Sequence, residues 1–578
     1  MSGATVSNAG DLIVQETIAL NAGAGGVQQS GALSAGGNMT LTTTGAAALS
    51  GALLTGGNFT ASAASLISDG TLTAQGTVNL GTTFGSLTQS GTLRANGDVI
   101  LASAGDVSQS GILQSAQSDV VITGVAAALN GTIRAAGVLE TDLSGALSTS
   151  GTLLANDLVT LDARSLALGG AITGLNGVAI TSAAGQSVAL NGTVQSNGEV
   201  AVTGGSLTID SAAQLVSSMD DITLNASGAI DLAGSVRTGR NVTVQGERIT
   251  QAADIEAGLA VSLTSTGTDI IQSGTIEAGA VVMIAARDLR NAGTVSGPAN
   301  LTATRDVFNS GQIEGALLSI TARNITNQAT GKMTTAGRQQ LVAAGTLLNL
   351  GSMTASGDLV AQVTGALTNS GRMDAQGQLN LAVGSLENEA GGRLEGGSVV
   401  LNTSGVASNA GRIQSDGSMS LTAASFTNTA NVQSGGVLGI TATELTNSGQ
   451  IDVFGGALIL EGLSTLDNSG GRLSSDTGVQ IGIRNAVDFG AASWGTVQSD
   501  GWLTLQGVNG GYMSALTANL KYTLTEESIQ KWADQRGMAG PFQHGAGEPE
   551  GILGANDARH RGGAAVVGVH DRGVRCLP

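Results

Sequence analysis

One phrase recurs in this chain at a spacing near twenty residues, and that period decides most of what the chain can fold into. Leu367–Asn388 reads LTNSGRMDAQGQLNLAVGSLEN, and Leu445–Asn468 reads LTNSGQIDVFGGALILEGLSTLDN. Both open on LTNSG, place an aspartate at the same step and close on leucine and asparagine. The turn glycine of this phrase can be followed from Gly31 to Gly151 and again from Gly192 to Gly471. Between Gly31 and Gly371 it takes about seventeen steps averaging about twenty residues. Two steps, near Ala213 and Asp254, keep the spacing without the glycine. Even with 89 glycines in the chain, chance would not hold that phase over most of its length.

Inside a repeat the letters alternate. SGTLRANG (90–97), SGTIEAG (273–279) and AGRIQSDG (410–417) follow the turn with an apolar residue, a polar one, a small one and a second glycine. Period-two stretches come next, such as DVILAS (98–103) and NVTVQG (241–246). Alternation broken by Gly, Asn, Asp and Ser reads as short strands. A unit near twenty residues is too short for helical repeats, which need about 33 to 47. The expectation is an all-β parallel β-helix, one coil per repeat, with about three short strands in each.

Such a coil stacks every residue on its equivalent about 4.8 Å away. Composition agrees: 41% of residues are hydrophobic but only 2% aromatic, so the interior is built from aliphatic ladders. At about 2 kcal/mol for each fully buried aliphatic side chain, three or four per coil suffice. Glycine is expected to supply turns with positive φ. In the second half Asn291, Asn309, Asn349, Asn369, Asn388, Asn409, Asn428, Asn447 and Asn468 fall at or just before the turn. Stacked asparagines can hydrogen-bond along the axis, although asparagine is also a common turn residue. Gln29, Ser68, Gln89, Gln109 and Thr149 hold that position in the first half, which suggests two joined repeat subtypes.

A net charge of −19 argues against nucleic acid, which needs clustered cations, and against anionic lipid. No stretch approaches the eighteen or more apolar residues of a membrane span, and MSGATVSNAGDLIVQETIAL lacks the pattern of a secretory signal. The single cysteine, Cys576, allows no intrachain disulfide. Catalytic, cofactor-binding and metal-ligating constellations are not found. His544, His560, His570 and Cys576 are too widely spaced for a compact zinc pattern, and no phosphate loop or Gly-x-Ser-x-Gly turn occurs. Asp374 and Asp452 stand at equivalent steps of different repeats, which is repetition and not the facing pair of a glycosidase.

The units LTNSGRMDAQGQLNL, ASNAGRIQSDGSMSLTA (407–423) and LTNSGQIDVFGGALIL resemble the repeats of the filamentous haemagglutinin family, the large exoproteins of bacterial two-partner secretion. The resemblance covers about residues 20–510. It implies a right-handed β-helical shaft of an adhesin, or the stalk of a contact-dependent growth inhibition protein. It also implies export through an outer-membrane pore partner and an extracellular or cell-surface location. Implied too is a receptor or glycan on a host or neighbouring cell, with no enzymatic activity and no cofactor. The family's secretion domain with Asn-Pro-Asn motifs and its Val-Glu-Asn-Asn toxin junction do not occur here, so a shaft fragment without its own export signal is expected. The alternatives are a β-helical polysaccharide lyase or glycosidase, and a gene fragment without function.

Three regions follow: repeats over 1–510, a cap over 511–540 and a disordered or out-of-frame tail over 541–578. TLTEESIQKWADQRG (523–537) has capping-box spacing at Thr523 and Glu526, with Ile529, Trp532 and Ala533 on one face. It reads as a short helix, either a lid over the open strand edge or part of a further domain. Far-ultraviolet circular dichroism of the purified chain should therefore be dominated by β-structure, and a mainly helical spectrum would overturn the assignment.

Overall fold

A computed structural model describes residues 1–483 and 495–507. Beyond them it describes the short strands Ser514–Thr517, Tyr522–Leu524, Gly554–Ala555, Ala565–His570 and Gly573–Cys576. The fold is that of a right-handed parallel β-solenoid with coils of ~20 residues. The chain divides into two compact units, Met1–Gly297 and Pro298–Pro578.

One coil of the second unit shows how the alternation becomes a core. Ser352–Ala355 forms the first strand, and Leu359–Asn369 forms the next two, bent between Val363 and Ala366. Met353, Ala355, Leu359, Ala361, Val363, Leu367 and Asn369 point inward and are buried. Each meets its equivalent in the following coil: Met353 lies on Met373, Leu359 on Leu379, Leu367 on Leu386 and Asn369 on Asn388. The first unit is built in the same way, with Leu93 on Leu113, Val99 on Val120 and Val107 on Ala127. Among the described residues two aromatic rings, Phe59 and Phe426, are among the largest fully buried side chains. The narrow interior of a coil is filled by aliphatic groups at about 2 kcal/mol each.

The turn glycines serve a purpose other than the expected one. Of this column only Gly170 and Gly495 have positive φ. For the others the constraint is proximity, because the chain turns directly against the same turn of the preceding coil. A Cβ on Gly151 would lie 1.9 Å from the Gly131 carbonyl oxygen, and one on Gly371 would lie 2.0 Å from that of Gly351. Gly170 also fills the step between Gly151 and Gly192. Where glycine is missing, the carbonyls of Ala213, Ala253 and Ala430 accept the bond from the next coil, from the N–H of Ser235, Thr275 and Gln450.

The asparagine ladder is real, and it lies inside the coil. Asn309, Asn327, Asn349, Asn369, Asn388, Asn409, Asn428, Asn447 and Asn468 are wholly buried. Each Nδ2 donates to the next Oδ1 over 2.6–2.8 Å. The second N–H of each amide reaches a backbone carbonyl one coil on, as Asn349 does to Arg372 (3.0 Å) and Asn409 to Asn431 (3.2 Å). In the first unit the same position mixes aliphatic and polar residues: Gln109 is followed by Leu129, Thr149 and Leu168, and Leu168 by Leu190, Ile209 and Leu232. Its glutamines turn back on their own coil, Gln89 Nε2 donating to the Gly91 carbonyl (2.6 Å) and Gln272 to that of Gly274 (2.6 Å). The two repeat subtypes therefore differ in the amide's shortest bond, which runs to the next asparagine side chain in the second unit and to the residue's own turn for the glutamines of the first.

At the C-terminal side the strands Thr496–Ser499 and Trp502–Gly507 continue the parallel stack. They also pair in antiparallel fashion with Tyr522–Leu524, Ser514–Thr517 and Ala565–His570. Thr523 and Leu524 of the expected helix are in a strand, and the rest of 523–537 lies outside the described residues, as do the limits expected at 510 and 540.

Replacing Asn369 by alanine leaves one N–H of Asn349 Nδ2 unpaired, its other N–H keeping the Arg372 carbonyl, and removes the donor to the buried Oδ1 of Asn388. The expected cost is about 2–4 kcal/mol, read as a lowered thermal midpoint. Thr368→Ala, one residue away on the outside, should change stability by less than about 0.5 kcal/mol.

Candidate interaction surface

Because inward positions stack, outward positions stack as well, and each becomes a column along the coil axis. On the first strand of the coils in the first unit, Thr71, Thr92, Ile112, Thr132 and Thr152 form one such column. Beside it the glycine column leaves an open groove of about 730 Å³ whose rims include Ser110, Asn130, Thr132, Ser150, Thr152 and Thr193. Ser150 Oγ donates to Asn130 Oδ1 over 2.8 Å. The N–H groups of Gly131 and Gly151 are already bonded to Gln109 and Leu129 carbonyls. The groove therefore presents hydroxyls and side-chain amides, not a free strand edge. A second groove, about 630 Å³, lies in the second unit between Thr321, Gln362, Thr364, Asn402 and Ser404.

Charge follows the same columns. In the second unit Arg372, Arg393 and Arg412 stack in register. The neighbouring column runs Asp374, Glu395, Gln414, Gln433, Asp452. Arg372 Nη2 holds both Asp374 (3.0 Å) and Glu395 (3.2 Å). Asp374 and Asp452 are four coils apart, roughly 19 Å at the strand spacing, beyond the 5–9.5 Å of a glycosidase pair. Among the described residues no group of three or more His, Cys, Asp or Glu side chains is placed to hold a metal ion. The side chains of His544, His560, His570 and Cys576 are outside the described set.

The period of the turns led to the ladders, but not to the Arg372–Asp374–Glu395 cluster. Reading the charges at the same step of about twenty residues would have aligned Arg372 with Arg393 and Asp374 with Glu395. Exposed apolar side chains such as Phe84 and Phe454 are scattered one at a time, as on most protein surfaces. Among the described residues no helix is long and apolar enough to cross a membrane.

The exposed ion pair Arg237–Glu256 (2.7 Å) has side chains 69% and 50% accessible, so solvent screens it strongly. Arg237→Ala and Glu256→Ala should each shift folding stability by less than about 0.5 kcal/mol, measured by denaturant unfolding. A larger loss would mean that this column carries structural weight.

Compared with known proteins, the chain matches the family model described as the haemagglutinin repeat over residues 4–82, 249–329, 334–395 and 381–509. No curated protein and no solved structure matches it.

Proposed function

The chain belongs to the haemagglutinin repeat family, whose fit with a β-solenoid is that of a secreted, adhesin-like shaft, and from that premise we propose that it mediates cell contact. The observation that carries the proposal is the columnar exterior. A hydroxyl or amide group set on one coil is set again on the next, so a surface ligand meets the same weak contact many times. Linked weak contacts raise avidity by about 10²–10⁴ without any new contact. The partners proposed are a receptor or glycan on a host or neighbouring cell. For the full-length form they also include the outer-membrane pore protein of two-partner secretion, and the stalk of a contact-dependent growth inhibition protein is one setting for such a shaft.

A lyase or glycosidase reading has less support. The nearest stacked carboxylates on the charged face, Asp374 and Glu395, share one arginine.

Beads densely coated with the chain should adhere to epithelial or bacterial cells, while the soluble chain binds about a hundredfold or more weakly. Coated beads that adhere no better than beads coated with an unrelated β-solenoid would overturn the adhesive function.

A further inference from the structure

Gln339 occupies a place that every stacking neighbour gives to leucine. It opens the strand Gln339–Ala343, between Leu318 of the preceding coil and Leu359 of the following one. Its side chain is wholly buried, and neither Nε2 nor Oε1 has a hydrogen-bond partner. Gln29 and Gln251 leave only their oxygens unpaired, because their Nε2 atoms still donate to the Gly31 and Ala253 carbonyls. The asparagine amides from Asn309 to Asn468 are bonded from coil to coil. The backbone at Gln339 is in register, its N–H donating to the Asp358 carbonyl over 2.8 Å, so the conflict belongs to the side chain alone.

An amide sealed in an apolar interior has lost its water and gained nothing in return. Local opening restores that water, so the free energy of opening is lower here than in the flanking coils by the desolvation of two polar atoms. We propose that the strand Gln339–Ala343, with its turn Ala336–Arg338, is a built-in opening point of the second unit, the place where the coil stack yields first. When it opens, the strands Leu318–Ala322 and Leu359–Val363 each lose a pairing partner, and their freed edges become the positions at which a protease or a second copy of the chain can engage. The inference is independent of the adhesive function, since it rests on one side chain inside the coil.

Hydrogen exchange of the full chain, followed by mass spectrometry, tests it. Peptides covering 339–343 should exchange roughly tenfold or more faster than those covering 318–322 and 359–363. Gln339→Leu and Gln339→Met should each remove that difference and slow proteolysis at this coil. Gln340→Leu, on the outward side, should leave both unchanged. Equal exchange in the three strands of the unaltered chain would overturn the proposal, and so would fast exchange that persists in both Gln339 variants.

Discussion

Everything in these two units depends on one constraint: each strand is paired with its own equivalent in the coil before and the coil after. In an ordinary sheet a side chain meets neighbours of other sequence. Here it meets the same position again about 4.8 Å away, so a residue must suit a copy of itself. Leucine, isoleucine, valine and methionine satisfy that condition by dispersion and burial, as in the run Met333, Met353, Met373. The turn satisfies it by having no side chain at all. At Gly111, Gly131 and Gly151 the carbonyl of one coil stands where the Cβ of the next would be.

The same constraint explains why a polar residue can line the interior. A single buried asparagine would cost its desolvation, but a column of them supplies donor and acceptor to each member in turn. The amides from Asn309 to Asn468 all point the same way, Nδ2 toward the following coil, and their second N–H groups bond backbone carbonyls. The first unit lacks such a run. There Gln89 and Gln109 bond mainly to their own turns, and leucine at Leu129 and Leu168 breaks the polar column. Gln339 shows the other side of the rule: an amide without a copy of itself above or below is left unpaired.

Outside the coil, stacking turns a short sequence into a long surface. A threonine becomes a column of hydroxyls, and an arginine becomes a line of guanidinium groups, such as Arg372, Arg393 and Arg412. The adjacent column answers them with acceptors: Arg372 meets both Asp374 and Glu395, and Arg412 bonds to Gln414 and Gln433. Among the described residues a surface of this kind offers the same weak contact again at each coil, along open grooves. Membership of the haemagglutinin repeat family fits that physical character.

The period of the repeat by itself determined the fold, because only a coil of short strands closes in about twenty residues. Alternation then marked which side chains turn inward, and Met353, Leu359 and Leu367 follow it directly. The asparagine ladder was visible as a spacing. Its burial was not, since asparagine before a glycine reads equally well as an exposed turn residue until the next coil is in place. The reason for the glycines is hidden for the same cause: a single turn suggests a demand on φ, whereas the real demand is the backbone of the turn stacked beneath it. Tertiary structure alone decided which charges meet, as at Arg372, and which buried amide has no partner, as at Gln339. Both depend on the contents of the neighbouring coils, and one repeat taken alone does not contain them.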